Sequence, residues 1–390
     1  MGSTANSLPN DTEWTVSKNF STTVAFRIAD GIDLYVPLLL SISGIVCNIL
    51  VVMVMHSKYF RHNSTSFYMM VNAIVDTSSL ALVLPAHWLY VNFPGLFVKT
   101  PQSHVMCKFF NFFGWGTSDL GILLTVAMTT ERAIAVTLPL RVNSLCTKRR
   151  AKIGVAVVTV IVTVKDLHFL MTSVMVSRGE AEYLCEVSTE NPFYSLFWTT
   201  LWPWIHNAFL LASFVIISVS NVIIIKHVNR SNRTKFVKNL CGQKIHGNTA
   251  RLQSRGRQLS VMLVMDSFTI VVFTLPYSVI VTVMSSGHGT DDSDVDKLMY
   301  AVAFYLLYVN RCANFYLYCL SGSRFRDVLK QILCCCCCCC CCRRSVFGGR
   351  GSGSLWASYS HTSPPLSPSG LPTSMSKISV AVCMNPSGPD

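Results

Sequence analysis

The sequence predicts an all-α membrane protein: a bundle of seven membrane-spanning helices followed by a short amphipathic cytoplasmic helix. Three observations lead to this prediction. Hydrophobic residues make up 51% of the 390-residue chain, and its mean hydropathy is +0.43. Charged residues make up only 13%, whereas soluble domains carry about 25%. The apolar residues are gathered in long stretches between polar and basic loops. A lipid bilayer is therefore the expected solvent for most of the chain.

Seven apolar stretches are long enough to cross the hydrocarbon core, which takes about 20 helical residues. Since the core offers no water, each stretch must satisfy its own backbone hydrogen bonds and is expected to be helical. Pro276 lies inside the sixth stretch, where neighbouring helices make a kink tolerable. The stretches are residues 31–55, 66–90, 104–135, 151–176, 192–227, 258–285 and 298–320.

The basic residues predict the orientation of the bundle, which comprises residues 31–322. Most of the 32 Lys and Arg residues lie in the C-terminal segment and in the loops after the first, third and fifth stretches. Loops rich in Lys and Arg stay in the cytoplasm. Residues 1–30 are then an extracellular N-terminus, in which Asn10 and Asn19 begin glycosylation motifs. They contain no recognisable cleaved signal peptide, so the first stretch is expected to direct insertion.

Two cysteines are expected to form a disulfide. Of the 17 cysteines, only Cys107 and Cys185 lie on the predicted outer side, where the environment is oxidising. Two cysteines allow one pairing, so a Cys107–Cys185 bridge would hold the second outer loop against the third span. Two free thiols are the alternative.

The cytoplasmic end begins with an amphipathic segment. In residues 323–333, apolar positions alternate at helical spacing with Arg, Asp and Lys, which predicts a helix on the inner membrane surface. Residues 343–390 are rich in Ser, Thr, Gly and Pro and are predicted to be disordered. Their hydroxyl groups are either kinase targets or parts of an inert tail.

A run of cysteines, residues 334–342, follows the amphipathic segment. Cysteines next to a membrane are candidates for palmitoylation, and the first of them are Cys334, Cys335 and Cys336. Metal binding and low-complexity expansion are the alternatives, although metal ligands are normally separated by spacers.

Several charged residues lie within the apolar stretches. Charges inside a bilayer are costly, so they are expected to face the bundle interior and to be paired. The candidates for such interior charges are Asp76, Asp119, Glu131, Arg132, Lys165, Asp166, Asp266 and Arg311.

These features together resemble the rhodopsin-like G-protein-coupled receptors. The seven spans, the outer cysteine pair and Glu131-Arg132-Ala133 at the end of the third span give the resemblance, which covers about residues 31–333. Residues 314–322 are most similar to invertebrate neuropeptide receptors of the FMRFamide and myosuppressin kind. The other matching positions are Asn48, Asp76, Pro276, Asn314 and Tyr318.

The resemblance implies coupling to a heterotrimeric G protein at the cytoplasmic end of the third span. Arg132 is the expected contact, held in the resting state by Glu131. Asn314, Tyr318 and Pro276 are implied to belong to the switch between the two ends of the bundle. The base of the sixth span lacks the second acid that relatives often carry, so we expect raised basal signalling. The basic third inner loop serves either partner selection or binding to anionic lipid.

The resemblance also implies an intramembrane polar core. Asp76 and Arg311 should approach each other in mid-bundle, with Asn310, Asn314 and Asn48 nearby. Many relatives hold a sodium ion beside the acid matching Asp76, and we expect Arg311 to supply that positive charge instead. The alternative partners of Arg311 are Asp119 and Asp266.

The sequence departs from the family pattern in five places, one of which is the absence of the tryptophan usual in the fourth span. Ala133 replaces the usual tyrosine, Thr274 the usual tryptophan, and Ser213 and Phe315 the usual prolines. The trigger for signalling is therefore expected to differ from that of better-known members. The resemblance further implies arrestin and receptor kinases as partners, and a multi-pass plasma-membrane location in contact with lipid.

The outer surface predicts a cationic ligand. Most of the 19 acidic residues lie in the N-terminus and the second and third outer loops, and an acidic rim steers cations inward. A basic peptide, such as one ending in arginine and an aromatic amide, suits this rim, although the rim is alternatively just a soluble face. Gly114 stands where aminergic receptors carry an aspartate, which argues against a monoamine.

The expected pocket residues lie near the outer mouth, although the aromatic ones could instead form an interfacial belt. The alternatives to a peptide receptor are a chemosensory receptor for small molecules and a constitutively active orphan receptor. The pocket candidates are Trp88, Gly114, Asp119, Trp198, Trp202 and Tyr305.

Other classes of membrane protein find little support. A transporter would tend to show internal repeats, and a channel a selectivity element. The sequence has no metal or nucleophile constellation at a plausible spacing. We therefore expect no enzyme activity, no cofactor or metal, and no nucleic-acid partner.

Overall fold

A computed structural model describes residues 23–93, 103–177, 183–187, 191–240, 247–285 and 293–337. Eight long helices account for most of these residues. They are α1 (Val24–His56), α2 (Ser64–Asn92), α3 (Ser103–Thr137), α4 (Lys148–Asp166), α5 (Trp202–Leu240), α6 (Gly247–Ser285), α7 (Ser293–Ser321) and α8 (Ser323–Cys337). The glycosylation candidates Asn10 and Asn19 and residues 343–390 lie outside the described ranges.

Helices α1 to α7 form the predicted bundle. Six of them contain an apolar stretch long enough to span a bilayer. The seventh, α7, packs along α1 and α6, and it carries Arg311, Asn310 and Asn314 within its apolar length. The helical membrane fold is therefore confirmed.

Polar side chains fix where the helices begin. At α1, α2 and α4 the residue before the helix accepts a hydrogen bond from a backbone N–H of the first turn. Thr23 accepts from Phe26, Asn63 from Thr65, and Thr147 from Arg150. Each cap satisfies a donor that has no partner within its helix.

Two wide turns interrupt the regular helical geometry. In α2, a π-helical turn, Ser79–Val83, precedes the segment Leu84–Asn92. Pro85 lies just after this turn, and because proline has no N–H it removes one bond of the helical ladder. A second π-turn, Phe197–Leu201, separates the short helix Pro192–Leu196 from α5.

A two-stranded antiparallel sheet shortens the fourth predicted helix. The fourth apolar stretch was expected to stay helical to residue 176. Helix α4 instead ends at Asp166, a single turn follows at Phe169–Thr172, and strand β1 (Ser173–Ser177) pairs with β2 (Tyr183–Val187). Backbone groups outside the hydrocarbon can pair between strands, and alternating β-branched residues favour this. Met175 lies directly opposite Cys185.

The amphipathic segment forms α8 and continues to Cys337, beyond the predicted end at residue 333. Phe325, Val328 and Ile332 are buried in the same apolar cluster as Tyr318 of α7 and Val51 of α1. These buried residues form the apolar face of the helix that the sequence pattern predicted.

Gly322 makes the sharp turn from α7 to α8 possible. A Cβ atom at this position would lie 2.8 Å from the backbone oxygen of Tyr318 and would also collide with the side chain of Met262. A larger residue would therefore push α8 or α6 away from the end of α7.

Candidate functional site

The predicted disulfide is present and attaches the hairpin to the bundle. Cys107 near the start of α3 is joined to Cys185 of β2, with their Cα atoms 5.6 Å apart. Two hydrogen bonds hold the hairpin further: the backbone N–H of Cys185 donates to Tyr90 Oη at 3.1 Å, and Asn111 Nδ2 donates to Ser173 Oγ at 3.0 Å. The hairpin is thereby fixed to α2 and α3.

A cavity of about 290 Å³ lies beneath the hairpin, among α2, α3, α5, α6 and α7. Met175 and Cys185 of the hairpin are part of its lining. Polar side chains at its deeper end include Ser118, Asp119 and His206. The main aromatic contributors to its wall are Phe110, Trp115, Tyr277, Tyr300, Phe304 and Tyr308.

Two of the six predicted pocket residues, Gly114 and Asp119, line this cavity. Trp198 and Trp202 line a smaller adjoining cavity of about 20 Å³. Trp115 belongs to both cavities, so the two tryptophans lie behind one wall of the larger one.

The other two candidates, Trp88 and Tyr305, line neither of these two cavities, and their role in ligand binding stays a prediction. Trp88 Nε1 donates to the carbonyl oxygen of Leu34 at 2.9 Å, and Tyr305 Oη donates to Asp33 Oδ1 at 2.9 Å. Both therefore lie on sides of their helices that face α1. Polar acceptors on α1 attract these groups because a buried indole N–H or phenol O–H needs a partner.

The sequence reading missed two histidines in the cavity wall, His87 of α2 and His206 of α5. The His206 ring lies 5.0 Å from the Trp115 ring and 5.8 Å from the Trp202 ring. Each histidine interrupts an apolar stretch, and that interruption was the signal available in the sequence.

A buried charge cluster lies behind the deeper end of the cavity. Lys165 Nζ of α4 is 2.6 Å from Asp119 Oδ2 of α3 and 2.6 Å from Asp166 Oδ1 of its own helix. Its ammonium group also lies 4.2 Å from the centre of the Trp202 ring. His206 Nδ1 is 3.9 Å from Asp119 Oδ2. Asp119 is therefore paired with Lys165.

Arg311 pairs with Asp76 in the middle of the bundle. Arg311 Nη1 is 3.2 Å from Asp76 Oδ1, and the two residues are 6% and 4% exposed. The second carboxylate oxygen, Asp76 Oδ2, accepts hydrogen bonds from Asn72 Nδ2 at 3.1 Å and Asn314 Nδ2 at 3.3 Å. Asn48 Nδ2 donates to the carbonyl oxygen of Arg311 at 3.0 Å.

Ser118 links the cavity to this polar core. Its Oγ accepts a hydrogen bond of 2.7 Å from Arg311 Nη2, and the same residue lines the cavity. Within the described ranges, the side-chain oxygen of Asn310 and both carboxylate oxygens of Asp266 have no hydrogen-bond partner. Neither acid proposed as an alternative partner, Asp119 or Asp266, pairs with Arg311 in the part of the chain that the structure describes.

The predicted contact between Glu131 and Arg132 is corrected, because each side chain bonds to the start of α2. Arg132 Nη2 donates to Asn63 Oδ1 at 2.7 Å. Glu131 accepts from the hydroxyl of Ser64 and, at 3.4 Å, from that of Thr65. Adjacent helical residues point about 100° apart, which separates their side chains. Among the described residues, no ion pair joins the two.

Cys146, in the loop between α3 and α4, lies beside Glu131. Burial, and then the Glu131 carboxylate, raise the pKa of its thiol above the ordinary value. The protonated thiol donates to the backbone oxygen of Glu131 at 3.7 Å. This contact helps to hold the loop against the end of α3.

The remaining predicted switch residues lie on α6 and α7. Pro276 is inside α6, and Thr274 and Tyr277, on either side of it in sequence, line the cavity. Tyr318 is 1% exposed, and its ring centre is 5.9 Å from that of Phe325 of α8. Of the palmitoylation candidates, Cys334 is an exposed free thiol; Cys335 and Cys336 follow it within α8.

Comparison with known proteins gives two matches. Residues 47–318 match the family model described as 7 transmembrane receptor (rhodopsin family). The chain is also similar to the Alpha-1A adrenergic receptor of Oryzias latipes, with 24% identity over 321 residues. This alignment covers 74% of the chain and 64% of the relative, so the chain spans less than two thirds of that receptor's length.

Proposed function

We propose that this chain, which belongs to the rhodopsin family of seven-transmembrane receptors, binds a cationic peptide from outside the cell and activates a heterotrimeric G protein. The observation that carries the ligand proposal is the cavity beneath the hairpin, which combines an aromatic wall with a carboxylate at its deeper end. Its volume of about 290 Å³ is at the small end of ligand pockets, about 300–1,000 Å³. It therefore takes one end of a peptide.

Acidic residues near the outer ends of the helices support the charge of this ligand. Asp30 of α1 is exposed, and Asp294 and Asp296 lie in the first turn of α7. Acidic groups around an opening raise the local concentration of cations and speed their association. A peptide with a basic residue beside an aromatic C-terminal amide matches both this rim and the aromatic wall.

A small amine is the second candidate ligand. Two observations favour it: the similarity to a protein named as an adrenergic receptor, and the presence of Asp119 in the cavity wall. Against it, position 114, where aminergic receptors carry an aspartate, is glycine. A lone ammonium group therefore finds no free carboxylate at the usual aminergic position.

The route from ligand to G protein follows groups already in contact. A ligand in the cavity touches α6 through Thr274 and Tyr277, next to Pro276, and touches Ser118, which bonds to Arg311. Movement of α6 away from α7 would then uncover the end of α3, where Arg132 is held by a single described hydrogen bond to Asn63. Release of that bond frees Arg132 to meet the G protein.

The same proposal includes the orientation of the chain in the membrane and its modifications. The N-terminus, with Asn10 and Asn19 as glycosylation sites, lies outside a plasma membrane. Arrestin and receptor kinases act on the cytoplasmic side, and the cysteine run beginning at Cys334 carries acyl chains. The exposed Cys334 thiol at the end of α8 supports this last assignment.

The proposal is tested by recording G-protein activation in cells exposed to amidated peptides and, separately, to monoamines. We expect a dose-dependent response to peptides that carry Arg or Lys near the amidated end. Arg132→Ala should abolish the response with the protein still at the cell surface. A response to monoamines alone would establish the second candidate, and silence to both classes would favour a chemosensory receptor for other small molecules.

A further prediction is that Asn63→Ala raises ligand-independent signalling. The variant removes the acceptor of the 2.7 Å hydrogen bond from Arg132, and a hydrogen bond to a charged group contributes about 1.5–3 kcal/mol. Because Asn63 also caps α2 through Thr65 N, stability should fall by about 1 kcal/mol. Nucleotide exchange on a G protein, normalised to receptor number, measures the basal activity.

Asn63→Asp is the matched control. It keeps the cap and gives Arg132 a carboxylate, so basal exchange should fall below that of the unaltered receptor. If both variants raised basal exchange, or neither changed it, Asn63 would not be the group that holds Arg132.

A further inference from the structure

We propose that the deeper end of the cavity recognises a positive charge on the ligand by ion exchange. The ammonium or guanidinium group of the ligand takes the place of Lys165 beside Asp119, and Lys165 then pairs with Asp166 alone. The inference deepens the proposed function, since it assumes that a cationic group enters the cavity, but it does not depend on that group belonging to a peptide.

One ammonium group serves two carboxyl groups. Lys165 Nζ is 2.6 Å from an oxygen of Asp119 and 2.6 Å from an oxygen of Asp166, and these acids are 1% and 0% exposed. The other titratable side chains near Lys165 are those of His168 and His206. Charges buried in a membrane are expected to be matched, so with both acids ionised the cluster has one carboxylate more than it has ammonium groups.

Only one side of the charge cluster is accessible from the cavity. Asp119 and His206 line the cavity, whereas Lys165 and Asp166 do not. The Asp166 oxygen that does not contact Lys165, Oδ2, has no hydrogen-bond partner in the part of the chain that the structure describes. A cation that enters from the cavity therefore reaches Asp119 first. Asp166 Oδ2, on the far side of Lys165, can accept a hydrogen bond from the displaced lysine.

Lys165 keeps most of its contacts when it leaves Asp119. Its Nζ already touches Asp166 and lies 4.2 Å from the centre of the Trp202 ring, so both contacts can persist when Asp119 is given up. A flexible four-carbon side chain permits the required short movement. Simple displacement without Asp166 would leave a buried ammonium group with only an aromatic face, which is a far weaker partner.

The exchange also changes the contact between two helices. Asp119 belongs to α3 and Lys165 to α4, so their ion pair joins the helices; the Lys165–Asp166 pair lies within α4. A bound cation therefore breaks an interhelical bond and replaces it with an intrahelical one. A neutral ligand of the same shape leaves the α3–α4 bond intact.

The test uses two small probes, phenethylguanidine and its uncharged counterpart phenethylurea, with the full-length receptor in lipid nanodiscs. Calorimetry gives the Kd of each probe. We expect the guanidine to bind at least about tenfold more tightly than the urea, in line with the effect of removing one partner from a buried charge pair. In Asp119→Asn the two Kd values should become equal.

Two further variants separate exchange from simple attraction. Asp166→Asn should weaken guanidine binding by about tenfold, because Lys165 then has no second carboxylate to accept it. The double variant Lys165→Met with Asp166→Asn leaves Asp119 unpaired and without a competitor, so it should bind guanidine more tightly than the unaltered receptor. Asp33→Asn is the matched control: it removes a buried acid outside the cavity and should leave both Kd values unchanged.

Several results would overturn the inference. Equal binding of the two probes to the unaltered receptor would exclude charge recognition, as would an undiminished preference in Asp119→Asn. Unchanged guanidine binding in Asp166→Asn would exclude the exchange itself, and so would undetectable binding to the double variant. Because the probes are not peptides, a charge preference in this assay combined with silence toward peptides in cells would count against the proposed function alone.

Discussion

Arg311→Met is expected to destabilise the bundle by about 3–5 kcal/mol, the usual effect of removing one partner of a buried ion pair. Asp76 is 4% exposed and would lose the cation 3.2 Å away. Asn72 and Asn314 would still donate hydrogen bonds to the carboxylate, but neither carries charge. The apparent Tm of the purified receptor in nanodiscs measures the loss.

A double variant provides the control for this prediction. Asp76→Asn in the Arg311→Met background removes the unpaired charge, so most of the lost stability should return. An undiminished Tm in Arg311→Met would show that the pair does not stabilise the bundle.

The effect of sodium on the Tm gives a second test, because Arg311 is proposed to take the place of a sodium ion beside Asp76. Arg311→Met should be stabilised by sodium chloride relative to choline chloride, because a small cation can then neutralise Asp76. The unaltered receptor should respond equally to the two salts. Equal Tm values in both salts for Arg311→Met would refute the view that the arginine substitutes for an ion.

The second large effect is expected from loss of the disulfide. Cys107→Ser and Cys185→Ser, singly or together, should lower stability by about 2–5 kcal/mol, since the bridge closes a sequence separation of 78 residues. Binding of the cationic probe should weaken as well, because Met175 and Cys185 are part of the cavity lining. Tm and probe Kd are the measurements.

Cys319→Ser is the matched control, since it alters a half-buried free thiol away from the hairpin. Cys319→Ser should leave both the Tm and the Kd of the cationic probe nearly unchanged. The double variant should behave like either single variant, because the bond is already lost in each. A double variant with unaltered Tm and Kd would contradict a structural role for the bridge.

Much of the fold could be predicted because the hydropathy of each stretch shows whether lipid or water surrounds it. Each of the seven stretches contains a long helix, and the pattern around Phe325 correctly predicted α8. The hairpin was missed because apolar residues such as Val174 and Val176 continue the hydropathy of α4 beyond the point where the chain leaves the bundle. Hydropathy does not distinguish an apolar strand outside the membrane from one more helical turn inside it.

The site was harder to predict because side-chain partners depend on how each helix is rotated. Lys165, Asp119 and Asp166 were recognisable as costly charges, but nothing in the sequence shows that α3 and α4 turn two of them toward each other. For the same reason the sequence did not show that Trp88 and Tyr305 bond to α1. Asn63 carries no charge and lies at the start of a helix, so nothing in the sequence indicated that it would bind Arg132.

The depth of Asp119 in the membrane is expected to make ligand binding sensitive to the membrane potential. At about 1.5 Å of rise per residue, Asp119 lies roughly 18 Å along α3 from Cys107. Moving one charge across a whole membrane is worth about 2.3 kcal/mol per 100 mV. In the proposed orientation, with the N-terminus outside, a ligand cation bound beside Asp119 as proposed crosses about half of that field and gains on the order of 1 kcal/mol per 100 mV. The two proposals together therefore predict that depolarisation weakens binding of the cationic ligand.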